Sequence, residues 1–191
     1  MKKPTQYITL LCSLFLLCSC ATFHKTKIPA NHVALSPESL SDINGTYVTD
    51  TIAILYHNEI LWGKSIIKTP ETYKAFKENP MYATLKAINS KKINVQLHTD
   101  SLTLKTYDIK GRIKNGYFVQ NPKFYAIPAI YINAWFSGRF RLGLLNNQNI
   151  STQYVTKDFG TVYFAYPYNN SETPKPIEHL RVEKNKTSGN P

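Results

Sequence analysis

Residues 92–120, KINVQLHTDSLTLKTYDIKGRIKNGYFVQ, alternate apolar and polar side chains and carry an Asn-Gly pair near the end. Ile93, Val95 and Leu97 share one face of an extended chain and Asn94, Gln96 and His98 the other, a period of two that only a strand presents. Asn115-Gly116 is the strongest short hairpin signal, because both central residues of a type I′ turn need positive φ. The pattern predicts a strand through about Ile113 and its partner from Tyr117. Further runs occur at Gly45 to Asp50, Tyr82 to Asn89, AIYINAWF, GRFRLGLL, ISTQYVT and GTVYFAYP, with Ser137-Gly138 and Asn146-Asn147 as turn candidates. Eight or nine short strands without long intervening helices predict an all-β antiparallel meander, and about eight strands is the size that closes into a small barrel. One or two short helices are expected in the 58–81 insertion, where Thr69-Pro70-Glu71 offers an N-cap, a proline at the first helical position and an acid in the first turn. That insertion is either a lid over one barrel end or a plain surface excursion.

The other strong constraint lies at the N-terminus. Lys2 and Lys3 precede a stretch with no charge from Tyr7 to Cys20, too short for the ~20 apolar residues of a membrane span. Leu17-Cys18-Ser19-Cys20 resembles the lipobox of bacterial lipoproteins. That resemblance implies a signal peptide at 1–19, cleavage before Cys20 and lipidation of the Cys20 thiol and amine. Two or three acyl chains at ~0.8 kcal/mol per buried CH₂ would anchor the chain firmly. Ala21 after the cysteine, in place of Asp, and the lack of an acidic run imply the periplasmic face of the outer membrane. Cys12 and Cys18 would leave with the signal, so the mature chain would hold no thiol for catalysis, disulfides or metal.

Removing Lys2 and Lys3 from the 23 basic residues leaves 21 against 12 acids, a net charge of +9. The mature chain has the length of one domain. Residues 20–43, Pro-containing and polar, read as lipidated cysteine and flexible tether. Residues 44–168 read as the barrel domain, and 169–191 as a polar tail that frays.

Within the barrel region, Asn44-Gly45-Thr46-Tyr47, Leu61-Trp62, Asn115-Gly116-Tyr117-Phe118 and Arg141-Leu142-Gly143-Leu144 together resemble a group of small, uncharacterised lipoproteins of Gram-negative bacteria with a lipocalin-like β-barrel. The resemblance spans about residues 44–168. It implies a fold and brings no catalytic residue with it.

Chemistry is otherwise sparse. There is no Gly-x-Ser-x-Gly elbow, phosphate-binding glycine loop or His-Glu-x-x-His. The five histidines, His24, His32, His57, His98 and His179, are scattered, so no metal or cofactor is expected. Asp108 is the one acid between Ser101 and Lys157, which leaves no carboxylate pair for hydrolysis there, and no enzyme is expected.

Two excesses remain. The same stretch holds eight basic residues, among which Lys110, Arg112 and Lys114 alternate on one strand and Arg139 and Arg141 on another. They make a candidate face for anionic lipid or lipopolysaccharide phosphates, and the plainer alternative is an ordinary solvated face. Nucleic acid is not expected, since the basic residues follow no binding motif. The second excess is aromatic, with 14 of 24 rings between Tyr117 and Tyr168. Tyr117, Tyr125, Tyr131, Trp135 and Tyr163 are candidates to line a cavity for a small apolar ligand, unless the rings simply fill the core. The expectation is a lipid-anchored envelope protein that binds a small apolar ligand or an anionic envelope component without catalysis. The alternative is a structural or assembly factor that binds another envelope protein.

Overall fold

The computed structural model describes residues 28–49, 79–128, 132–162, 166–172 and 175–182. The expected signal peptide, Cys20, the first part of the expected tether, most of the 58–81 insertion with the helix expected there, Tyr131, Tyr163 and the last residues of the expected tail lie outside these. The described residues are nearly all antiparallel strand: β1 (His32–Val33), β2 (Gly45–Thr49), β3 (Met81–Asn89), β4 (Lys92–His98), β5 (Thr103–Lys114), β6 (Tyr117–Gln120), β7 (Lys123–Pro128), β8 (Ile132–Leu145), β9 (Ile150–Val162), β10 (Tyr166–Glu172) and β11 (Ile177–His179). One turn of 3-10 helix, Leu40–Ile43, precedes β2. Among the described residues no helix is long and apolar enough to cross a membrane.

They form two compact units, and β8 and β9 supply residues to both. The larger unit takes the described residues of Lys27–Asn121, Phe140–Tyr154 and Lys175–Pro191. Its ladder runs β9-β8-β6-β5-β4-β3-β2, with β1 on β8 and β11 on β9. The alternation read from the sequence sets its faces: Ile93, Val95 and Leu97 of β4 are all at or below 1% exposure, while Lys92, Asn94, Gln96 and His98 are partly exposed. With Tyr47, Leu85, Ile109, Phe118, Phe140, Leu142, Ile150 and Tyr154 they make one core. Burying each large apolar side chain stabilises by roughly 1.5–3 kcal/mol. The β5–β6 turn is as expected, with φ of 53° at Asn115 and 76° at Gly116.

The smaller unit takes the described residues of Pro122–Arg139 and Val155–Pro174. In it β7 pairs with β8, and β10 pairs with β9 from Tyr166 opposite Val162 to Glu172 opposite Thr156.

Four expectations are corrected. Residues 31–43 are not tether: Leu35, Leu40 and Ile43 enter the core at 4%, 1% and 0% exposure, which anchors β1 and the 3-10 turn. Residues 169–172 and 175–182 are not a loose tail, because 169–172 continue β10 and β11 pairs with β9, where His179 is 5% exposed. Ser137-Gly138 is not a turn, since both stay in the ladder opposite Phe124 and Lys123 and β8 runs through them. Likewise ISTQYVT and the start of GTVYFAYP are a single strand, β9. A glycine permits a turn, but continuous pairing on a neighbouring strand satisfies its backbone equally well.

Candidate functional site

The outward face of β4 and β5 in the larger unit carries a group of charged side chains. Lys92 lies opposite Lys110 and Asn94 opposite Asp108. Lys92 Nζ is 3.0 Å from Asp108 Oδ2, and Asn94 Nδ2 donates to Asp108 Oδ1 at 2.8 Å. The Asn94 hydrogen bond and the Lys92 ammonium hold the Asp108 carboxyl below its ordinary range, with a smaller pull from Lys110. The stretch's lone acid is thus already engaged. Lys110, Arg112 and Lys114 follow at alternate positions of β5, all exposed, so their charge faces water on one side of the strand.

Arg141 does not join that exposed face. Its backbone sits opposite Val119, which in turn sits opposite Arg112, so the three share one side of the sheet, yet Arg141 is 8% exposed. Its Nε donates to Gln153 Oε1 at 2.9 Å, Nη2 donates to the same oxygen, and its guanidinium carbon stands 4.3 Å from the centre of the Tyr117 ring. Burial lowers its pKa from the ordinary value, opposed by Tyr117, but an arginine remains protonated. The sequence marked Arg141 as basic and alternate with Arg139, and had no means of showing that the outer side of β8 is covered. Arg139 lies in the smaller unit, partly buried, with its Nε lacking a hydrogen-bond partner.

Of the candidate ligand-lining rings, Tyr131 and Tyr163 lie outside the described residues, and the others are described each in its own unit. Tyr117 is 3% exposed and sits on the outer side of β6, opposite in sense to Phe118, which is in the core. Trp135, in the smaller unit, stacks on Phe159 with centroids 4.8 Å apart. Tyr125 is a β7 residue at the register of Phe136. The larger unit holds a partly open cavity of about 30 Å³, lined by Tyr47, Leu85, Leu97, Phe140, Leu142 and His179 among others. That is room for a water or two, against the several hundred Å³ of a ligand pocket.

His32, placed in the tether by its sequence, is the residue that sequence reasoning missed. β1 pairs with β8, His32 opposite Leu145, and the imidazole stacks on Tyr117 at 4.0 Å and 10°. The only sequence signal is the brief alternation of His32-Val33-Ala34-Leu35. His98 and His179 are structural: His98 Nε2 and the Thr84 hydroxyl are 2.9 Å apart, and His179 Nε2 and the Thr152 hydroxyl 2.7 Å. Among the described residues no three His, Cys, Asp or Glu side chains cluster as a metal site.

No protein-family model matches the chain, and neither a curated protein nor a solved structure matches it.

Proposed function

We propose that this is a lipid-anchored envelope protein, tethered through Cys20 at the periplasmic face of the outer membrane, that binds anionic envelope components without catalysis. The observation that carries the binding reading is the outward, exposed run Lys110, Arg112 and Lys114, whose neighbouring acid Asp108 is engaged by Lys92 and Asn94. A basic residue near an anionic lipid surface contributes about 1 kcal/mol. Of the two ligand classes expected from the sequence, the anionic one is proposed because its residues Lys110, Arg112 and Lys114 are exposed together on one strand.

The same proposal includes a lipocalin-like barrel in the larger unit. Val48 N–H donates to the Leu180 carbonyl at 2.8 Å and Val182 N–H to the Thr46 carbonyl at 2.8 Å, around a Tyr47–Arg181 bridge. Since β11 pairs with β9, the residues just after it would link β9 back to β2 and complete a circuit of eight strands.

The test is flotation of the unlipidated chain from Ala21 with vesicles of phosphatidylglycerol and phosphatidylcholine. Binding to the anionic vesicles alone is expected. Lys110→Gln, Arg112→Gln and Lys114→Gln together should weaken it by about 3 kcal/mol, or roughly a hundredfold. Equal binding of the triple variant would overturn the assignment of this face.

A further inference from the structure

We propose that residues 31–35 form an acid-released latch, in which neutral His32 docks the segment against β6 and β8 and protonated His32 frees it. The segment is held at few points. His32 and Val33 pair with Leu145 and Leu144, Leu35 N–H donates to the Gly116 carbonyl at 2.9 Å, and Asn146 N–H donates to the Asn31 carbonyl at 2.9 Å. Its side-chain anchors are Leu35 in the core and His32 on Tyr117. Two residues of pairing cannot hold a strand alone, so the docked state depends on these side chains.

The environment of the imidazole favours its neutral form. Neither ring nitrogen has a hydrogen-bond partner at good geometry, although both are buried. With Tyr117 centred 4.0 Å from the imidazole and 4.3 Å from the Arg141 guanidinium carbon, a protonated His32 would be at most about 8 Å from a permanent cation. At that distance in a partly buried site, repulsion is weakly screened. The ring that could have balanced a second cation already faces Arg141. The other groups around the segment do not reverse the sign. β5 contributes Lys114, paired with Tyr117, and β9 contributes neutral Gln153. The β8–β9 turn is neutral, and Glu178 of β11, beside it, is engaged by Asn147 and Asn149 at 3.0 and 2.7 Å.

Burial lowers the His32 pKa, with Arg141 adding to the effect and the Gly116 and Leu144 backbone opposing it. A base with a depressed docked-state pKa stabilises docking fully above its free value of about 6.5, and loses that stabilisation as pH falls from there to the docked-state value. The latch therefore opens on acidification. Opening would add the segment to the tether that precedes it and expose Tyr117 and Gly116.

Amide exchange of the full chain in detergent micelles, read by mass spectrometry at pH 7.5 and 5.0 and corrected for chemical exchange, tests this. Protection of the peptide containing Leu35 should fall at pH 5.0, while that of β4 stays constant. His32→Phe, which keeps the stack and cannot be protonated, should remain protected at both pH values. Unchanged protection in the native chain, or the same acid loss in His32→Phe, would overturn the latch. An independent reading is the NMR titration of the His32 ring, where a pKa at or above about 6.5 would also overturn it.

Discussion

At Arg141 a permanent charge is held at 8% exposure, where Gln153 Oε1 accepts from two of its nitrogens and Tyr117 offers its ring face. Removing one partner and removing the charge should therefore differ in effect. Gln153→Leu takes the acceptor from two guanidinium N–H groups, and urea unfolding should show a loss of about 2–3 kcal/mol. Arg141→Met discards the charge and its desolvation together, and should come within about 1 kcal/mol of the native chain. A milder case is Tyr47, 0% exposed, whose hydroxyl donates to the Ile43 carbonyl at 2.9 Å. Tyr47→Phe leaves that carbonyl unpaired, and the expected cost is about 1 kcal/mol in the same assay. None of this was legible beforehand. A sequence lists Arg141 among the basic residues, and only the packing of neighbouring strands decides whether it meets water or Tyr117.

At the scale of elements, the alternation in β4 and the Asn115-Gly116 turn were readable because their causes are local. Side chains on a strand point to alternate sides, and positive φ is cheap for Gly and Asn. Gly116→Ala should cost about 1–2 kcal/mol through φ of 76° alone, and its Cβ would stand 3.0 Å from Ala34, so thermal unfolding and Leu35 amide protection should both drop. The errors share a different cause. Ser137-Gly138 looks like a turn, but in β8 its neighbours Phe124 and Lys123 give it ladder partners. The segments at 31–43 and 175–182 look like polar flanks, and their few buried residues, Leu35, Leu40, Ile43 and His179, find distant partners that no local pattern announces.

For the whole molecule, the basic face predicts a strong salt dependence. Binding of the chain to phosphatidylglycerol vesicles should weaken steeply between low and physiological ionic strength, since exposed charges are screened beyond about 8 Å at 0.15 M. Salt-independent flotation would point to apolar insertion instead. The anchor is a separate matter: incorporation of labelled palmitate by the expressing cell should vanish in Cys20→Ser. What the sequence determined by itself was the all-β character and the excess of positive charge on β5, both of which follow from residue type and a two-residue period. Tertiary structure alone decided that Arg141 is covered, that His32 stacks on Tyr117 and that residues 180–182 bond to β2. Each of those joins residues far apart in the chain, and such meetings depend on which strands lie side by side.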